Sequence, residues 1–407
     1  MITFRRALWI ALLALGLQPA HADDSPRVDL FASDPRGPHA TGTFEEMWID
    51  EQRDEPTTND PQDKRHLMVQ FWYPATVKPN SPRAPYVLHP ELYSDEVGKW
   101  FPFAKTVRTT SVLNAPLLAG DQTFPVVIYN PGGGNPHFTG TSQAEYLASH
   151  GYVVVAIGHT GLNRIERFPD GYAYKLDTGD PEPTKAERET MTGADAFRLE
   201  VERSAQSMMP LHVQDIRFVL DRLQAMNSKA GNRFRGRLDL DRVGSIGWSL
   251  GGALSLQASR DEPRIKAAIN LDGWLYTDVY KTGTHRPVMQ IHQSEDVVFL
   301  KPGQSAAQRE TMLYANSLLW QFFSKTDADW FDVTLQRAHH GHFSDWILLR
   351  SWEEQYMHPR LAHEIINVLT REFLDKYLKG SEDTPFLSGT RSWAQAQVLR
   401  KPGQGGS

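Results

Sequence analysis

The chain has 407 residues, a formal net charge of −6 and no cysteine. This length fits one large domain or two small ones. The slight acidic excess gives no basic footprint for binding nucleic acid. The lack of cysteine excludes thiol catalysis, thiolate metal sites and disulfide bonds.

The first residues have the pattern of a secretory signal peptide. Arg5 and Arg6 precede an apolar stretch over residues 7–17, and residues 20–22 (AHA) fit a small-x-small cleavage site. We therefore expect cleavage near Ala22 and a secreted or periplasmic mature protein. An uncleaved membrane anchor is the alternative, but the stretch is short for a bilayer, and we expect no integral membrane segment after cleavage.

Strands and helices are predicted to alternate along most of the remaining chain. Residues 23–65 are rich in Asp, Pro and Thr and are predicted to be irregular, with residues 40–50 as a candidate edge strand. Strands are predicted at 67–75, 124–130, 152–159, 242–248, 265–272, 287–294 and 330–338. Helices are predicted at 141–151, 213–226, 249–259, 308–323 and 361–380.

This alternation predicts an α/β fold, with a mainly parallel sheet covered by helices on both faces. We expect one domain over residues 66–380 rather than two. A cap-like insertion is predicted from Thr160 to about Ala205, where turn and loop residues interrupt the alternation. The tail over residues 381–407 is predicted to be loose.

A serine lies between two glycines where a predicted strand meets a predicted helix. The sequence Gly247-Trp248-Ser249-Leu250-Gly251 has the Gly-x-Ser-x-Gly spacing and the context of the nucleophile elbow of α/β-hydrolases. Side chains at the two glycine positions would collide with neighbouring backbone, and the helix N-terminus favours a developing anion. Ser249 is therefore predicted to be a nucleophile, the alternative being a small residue in a tight turn.

A serine nucleophile needs a base, which in this fold lies after the last strand. Three histidines follow that strand, at His339, His340 and His342. One of them is predicted to be the base and the others to pack and hydrogen-bond. A zinc site built from all three is the alternative, but no HExxH or paired-carboxylate pattern surrounds them.

The acid that completes a triad has two candidates, each following a predicted strand. Asp272 ends the strand after the elbow helix, and Asp296 follows the next strand. Position alone slightly favours Asp296, because many α/β-hydrolases carry their acid there.

Between Leu67 and Gly380 the chain resembles the plasma-type platelet-activating factor acetylhydrolases and their bacterial relatives. The resemblance is carried by the ordered motifs LMVQFWYPA, FPVVIYNPGGG, AEYLASHGYVVVAIGHTG, DRVGSIGWSLGGA, AAINLDGW and HGHFSDW. It implies that Asp272 is the acid and that His340, which begins a His-x-x-Phe motif, is the base.

Two departures from the family pattern affect the predicted oxyanion hole. The turn at residues 131–134 reads Pro-Gly-Gly-Gly where the family often has His-Gly, and Trp248 stands where a histidine is common. The backbone N–H groups of Gly133 and Leu250 are still predicted to form the hole, because backbone donors do not depend on the side chain.

The resulting expectation is a secreted serine esterase that hydrolyses carboxylic esters through an acyl-enzyme and needs no cofactor or metal. The resemblance implies short-acyl phospholipids among its small-molecule or lipid substrates. Trp248, Trp274 and Trp346 flank the predicted machinery and are predicted to bind substrate, with core or rim packing as the alternative. The alternative functions are a peptidase of the prolyl oligopeptidase type, a general lipase or polyester hydrolase, and a catalytically silent binding protein.

Overall fold

A computed structural model describes residues 36–56, 58, 60, 62–93, 107–162, 166–172, 191–294, 305–349 and 353–403. The predicted signal peptide and Asp296 lie outside these residues. Within them, no helix is both long and apolar enough to cross a membrane.

In the described part of the chain, eleven strands form a single sheet. They are β1 (Ala40–Asp54), β2 (Lys64–Ala75), β3 (Arg83–Pro85), β4 (Arg108–Leu113), β5 (Phe124–Asn130), β6 (Val153–His159), β7 (Leu238–Trp248), β8 (Ile265–Leu271), β9 (Val288–Gln293), β10 (Trp330–Leu335) and β11 (Ala396–Lys401).

The α-helices lie mostly between the later strands. They are α1 (Thr141–Ser149), α2 (Gly193–Gln206), α3 (Met208–Ser228), α4 (Leu250–Asp261), α5 (Ala306–Lys325), α6 (Pro359–Lys379) and the single turn α7 (Pro385–Ser388). Helix α6 ends at Gly380, whose φ of 69° is the left-handed conformation that glycine adopts most easily.

The strand order is β11-β10-β9-β8-β7-β5-β6-β2-β1-β4-β3. Neighbouring strands from β10 to β6 are parallel, whereas β11, β2 and β1 each join the sheet through an antiparallel pair. The prediction of a mainly parallel α/β sheet is confirmed. Parallel pairing matters for function, because it brings the carboxyl ends of six strands to one edge.

Alternate side chains of the central strands enter two different cores. In β5, Val126 and Ile128 belong to the core shared with α2–α5, whereas Val127 and Tyr129 belong to the core shared with α1 and α6. Both cores consist of side chains that are almost fully buried. The sheet that carries the site is therefore fixed from both faces.

Two peripheral segments are more regular than the sequence predicts. Residues 40–54, within the segment predicted to be irregular, form the long strand β1, which lies between β2 and β4 rather than at an edge. In the tail predicted to be loose, β11 pairs along all of β10 and covers its open edge. Helix α7 is fixed by the buried Glu372, which accepts the N–H groups of Phe386 and Leu387 at 3.0 Å each.

The predicted cap-like insertion lies partly within the described residues. Its last part is helix α2, which packs against α5. The Phe197 ring on α2 meets Trp274 edge-on at 5.4 Å between ring centroids. The covering role predicted for the insertion remains a prediction.

Candidate active site

Ser249 lies in the turn between β7 and α4, and its backbone is strained. Its φ of 56° is uncommon for any residue with a side chain. A Cβ on Gly247 would lie 2.2 Å from the Gly251 carbonyl oxygen, and a Cβ on Gly251 would lie 2.1 Å from the Asn130 carbonyl oxygen. Both positions therefore require glycine, as predicted for a nucleophile elbow.

Asp272 follows the neighbouring strand β8, beside the elbow. Trp248 pairs with Leu271 in the β7–β8 register, and the Ser249 N–H donates to the Leu271 carbonyl at 2.8 Å. Asp272 also has a positive φ, of 53°. Asn270 fixes the turn by accepting the Gly273 N–H at 2.9 Å.

The Asp272 carboxylate is oriented by the end of β9. The backbone N–H of Gln293 donates to Oδ1 and its side-chain Nε2 donates to Oδ2, both at 3.0 Å. Gln293 was not among the site residues predicted from the sequence. Its position at the end of a predicted strand could have indicated that it lies at the site.

His340 completes a pair with Asp272. It begins the 3-10 turn His340–Phe343 after β10, and its Nδ1 lies 2.6 Å from Asp272 Oδ2. The His340 side chain is 29% exposed and that of Asp272 only 6%, so the histidine lies between solvent and a buried carboxylate. Trp248 holds this turn against the elbow, because its Nε1 donates to the His340 carbonyl at 3.1 Å and the two rings are 5.0 Å apart.

His339 and His342 use their ring nitrogens to shape the same turn. The Gly341 N–H donates to His339 Nδ1 at 3.1 Å, and the His339 N–H donates to His342 Nδ1 at 3.1 Å. His342 Nε2 donates to the Met357 carbonyl at 2.8 Å, and burial lowers the pKa of His342. These contacts are of the packing and hydrogen-bonding kind that was predicted for two of the three histidines.

The predicted oxyanion turn follows β5 directly. Within it, the Gly134 N–H donates to the Leu162 carbonyl at 2.7 Å, and Asn135 Nδ2 donates to the Gly133 carbonyl at 3.0 Å. A Cβ on Gly132 would lie 2.6 Å from the Trp248 ring, so the turn packs against the elbow. Leu250 is the first residue of α4, where backbone N–H groups point out of the helix.

Asn130 joins this turn to three other elements and was missed by sequence reasoning. Its fully buried side chain donates to Ser245 Oγ at 3.0 Å and to Ser255 Oγ at 2.9 Å. Since both amide protons are used, its Oδ1 accepts from His159 Nε2 at 3.1 Å. Its position between a strand and a glycine-rich turn could have indicated a role at the site. Its hydrogen-bond partners could not be predicted, because they are distant in sequence.

A group of three metal-ligand side chains occurs in the described part of the chain, at His159, His212 and Asp215. The group already surrounds a cation, because Arg65 Nη2 lies 2.6 Å from Asp215 Oδ2 and 3.3 Å from His212 Nδ1. Burial would raise the pKa of Asp215, but Arg65 holds it well below its usual range. We therefore interpret the group as a structural ion-pair network.

Asp345, from the HGHFSDW motif, is buried two residues after the His340–Phe343 turn. It accepts hydrogen bonds from the Ser142 backbone N–H at 3.3 Å, from the Ser142 hydroxyl and from the Tyr86 hydroxyl at 3.0 Å. Burial raises the pKa of Asp345 to about 7 despite these donors, which favour its charged form. The Asp345 carboxyl therefore links the segment after the His340–Phe343 turn to α1.

The three tryptophans predicted to bind substrate have different surroundings. Trp248 is only 5% exposed and lies against Gly132 and the His340 ring. Trp274 and Trp346 are half-buried. Trp274 lines a small solvent-open pocket beside Asp272, together with Leu275 and Met312.

Comparisons with known proteins relate this chain to esterases. A family profile described as "PETase: PET hydrolase-like" matches residues 202–332. The "Probable 1-alkyl-2-acetylglycerophosphocholine esterase" of Arthroderma benhamiae is 28% identical over 163 residues, 39% of this chain and 34% of that protein. The platelet-activating factor acetylhydrolase of Canis lupus familiaris is 26% identical over 187 residues, 42% of this chain and 40% of that protein. The chain thus matches well under half the length of these curated relatives.

A solved structure matches nearly the whole chain. The ferulic acid esterase from Streptomyces cinnamoneus has a TM-score of 0.65 and 25% identity, covering 91% of this chain and 98% of that one. The chain has the α/β-hydrolase fold and is related to the platelet-activating factor acetylhydrolases and other esterases of that fold.

Proposed function

We propose that the protein is a serine hydrolase that cleaves carboxylic esters with Ser249, His340 and Asp272. The observation that carries this proposal is the 2.6 Å contact between His340 Nδ1 and Asp272 Oδ2, at the strand edge where Ser249 occupies a strained elbow. A buried carboxylate on Nδ1 fixes the tautomer that leaves Nε2 free to accept a proton.

In the proposed reaction, the Ser249 hydroxyl attacks the ester carbonyl carbon while His340 Nε2 takes its proton. The carbonyl oxygen becomes an oxyanion near the N–H groups of Gly133 and Leu250. The tetrahedral intermediate expels the alcohol, which receives the proton from His340. Water then attacks the acyl-enzyme by the same route, releasing the acid and restoring Ser249.

The proposed substrates are esters with a small acyl group on an amphiphilic alcohol, short-acyl phospholipids among them. This choice is supported by the names of the two curated relatives, an acetylglycerophosphocholine esterase and an acetylhydrolase. The half-buried Trp274, beside Asp272, supplies apolar surface for such a substrate.

We further propose that the protein acts outside the cytoplasm. The support is the N-terminal pattern of Arg5 and Arg6, an apolar stretch and an AHA cleavage site.

Turnover against acyl length tests the proposed substrate class. Each buried methylene contributes only about 0.8 kcal/mol, so exclusion of long chains has to come from steric clash. We expect turnover of monomeric p-nitrophenyl esters to fall sharply beyond short acyl chains, with no jump at the micelle threshold. Rates that rise up to long-chain triglyceride emulsions would instead identify a lipase.

A polyester or aromatic ester hydrolase is the second candidate. It is favoured by the PET hydrolase-like profile over residues 202–332 and by the structural match to a ferulic acid esterase. The same panel should therefore include a feruloyl ester, bis(2-hydroxyethyl) terephthalate and a matched peptide amide. Faster turnover of an aromatic ester than of any short aliphatic ester would favour this candidate, and peptide cleavage would favour a peptidase.

A further inference from the structure

A buried histidine that follows the oxyanion turn contacts two carboxylates from distant parts of the chain. His137 begins a 3-10 turn at residues 137–140, one residue after Pro136. Its Nδ1 lies 3.0 Å from Glu166 Oε1, and its Nε2 lies 3.1 Å from Glu45 Oε2. The His137 and Glu166 side chains have no exposed surface, and that of Glu45 is 3% exposed.

This geometry requires a charged histidine. Each ring nitrogen faces a carboxylate oxygen, and only the imidazolium form carries an N–H on both nitrogens. Burial alone would lower the pKa of His137, but Glu166 and Glu45 together raise it to about 10. The charge is therefore present throughout the neutral range.

Glu166 is itself held in one position. The Tyr93 hydroxyl donates to Glu166 Oε1 at 2.6 Å. On the other side, a Cβ added to Gly158 of β6 would lie 2.3 Å from Glu166 Oε2, so the carboxylate rests directly on the strand. His137 is thus fixed to the sheet through Glu166 and, on its other nitrogen, to β1 through Glu45.

The oxyanion turn also contacts the chain just before Glu166. The Gly134 N–H donates to the carbonyl of Leu162, four residues before Glu166. Between these two ties lie only Asn135 and Pro136. The chain that directly follows Gly133 is therefore held at two points by residues near the start of the predicted insertion.

We propose that His137 is a positioning residue, and that its ion pairs with Glu45 and Glu166 fix the oxyanion turn at residues 131–134 relative to Ser249. This inference rests on the proposed function, because it assigns the turn a part in ester hydrolysis. Loss of the imidazolium leaves two buried carboxylates without their shared cation, and the turn has to shift to let water reach them.

The first arm of the test compares His137→Gln with His137→Lys and wild type. The readouts are kcat and KM on a soluble short-acyl ester and the Ki of a trifluoromethyl ketone. This inhibitor adds to a catalytic serine and places an oxyanion in the hole. Active sites are titrated with a phosphonate so that kcat refers to folded protein.

For His137→Gln we expect kcat to fall about 10- to 100-fold and ketone affinity to fall in parallel, because a displaced oxyanion donor weakens transition-state binding. KM should change by less than about threefold, since the turn contacts the ground state little. His137→Lys retains a cation that can donate to both carboxylates and should recover most of the loss.

The matched control is Glu372→Gln, which neutralises a buried carboxylate of α6 that accepts hydrogen bonds from the backbone of α7. The proposal is overturned if His137→Gln keeps kcat within about twofold of wild type, or if Glu372→Gln loses as much. If His137→Gln does not fold, Glu166→Gln replaces it. That variant should show a smaller parallel loss in kcat and ketone affinity, and unchanged values would overturn the proposal.

Wild type and Ser249→Ala are measured alongside. A wild-type chain that neither turns over esters nor reacts with the phosphonate overturns the proposed function, and the role of His137 with it. An active wild type with an equally active His137→Gln overturns the role of His137 alone.

Discussion

At the scale of single residues, Asp272 is held through both of its carboxylate oxygens. Its Oδ2 accepts from both His340 and Gln293 Nε2, and its Oδ1 accepts the Gln293 N–H. An amide at this position would have to turn its NH₂ group toward donors. The carboxylate is therefore needed to hold His340 in the tautomer that the proposed mechanism uses.

We predict that Asp272→Asn lowers kcat by about 10⁴, because the wrong histidine tautomer is then favoured. The comparison is Asp296→Asn, the other acid that sequence position allows, which should change kcat little. Steady-state kinetics of both variants on a short-acyl ester decide between them. A crippled Asp296→Asn with a mild Asp272→Asn would contradict the assignment.

Asp345 gives a prediction about stability rather than turnover. Its pKa rises from 3.8 in the unfolded chain to about 7 in the fold. Between pH 4 and 7 the Asp345 carboxyl binds a proton in the folded protein but not in the unfolded chain. The free energy of unfolding therefore falls as pH rises from about 4 to 7, by up to about 4 kcal/mol.

Asp345→Asn should flatten this pH dependence, because the amide does not titrate and its oxygen still accepts from Ser142. Chemical denaturation of wild type and variant at several pH values between 4 and 8 measures the effect. Equal slopes in the two proteins would show that Asp345 does not titrate in this range.

At the scale of elements, the elbow between β7 and α4 requires a glycine where helix propensity would favour another residue. Gly251 lies in α4, where alanine would be the better helix former by about 1 kcal/mol. However, a Cβ there would lie 2.1 Å from the Asn130 carbonyl oxygen and 2.4 Å from that of Pro131. Both oxygens are backbone atoms at the end of β5 and cannot move easily. The clash of an alanine Cβ with them should therefore outweigh the gain in helix propensity.

We therefore predict that Gly251→Ala destabilises the fold by about 1–3 kcal/mol and lowers kcat by displacing the oxyanion turn. Gly231→Ala is the matched control, since Gly231 has a φ of 79° but open space around it. It should lose a comparable amount of stability while kcat stays near wild type. Loss of kcat in the control as well would point to a general effect of destabilisation.

Elements with strong local patterns were predictable from the sequence. The central strands are continuous apolar stretches, and α6 has both an amphipathic face and a glycine stop. Strand β1 was predicted only over residues 40–50 and as an edge strand, and β11 was not predicted, because both strands carry many exposed side chains. Their regularity comes from the partner strand rather than from their own composition.

At the scale of the whole molecule, the end of the parallel strands could be predicted as the place of the proposed triad, whereas Asp272 was chosen over Asp296, and His340 over its neighbours, through the family resemblance. Ser249, Asp272 and His340 follow β7, β8 and β10, and chain order alone brings them to that edge. The hydrogen-bond partners of Asn130 and His137 could not be predicted from the order of strands. Their partners lie up to 125 and 92 positions away in sequence, so only the folded sheet reveals them.

The central claim is that Ser249 is the nucleophile of an esterase, and one variant tests it most directly. Purified Ser249→Ala is assayed for turnover of a short-acyl ester and for covalent labelling by a fluorophosphonate, beside its thermal unfolding. We predict a loss of about 10⁴- to 10⁶-fold in turnover and no labelling, with unfolding close to wild type. Turnover or labelling that persists in the folded variant would contradict the account.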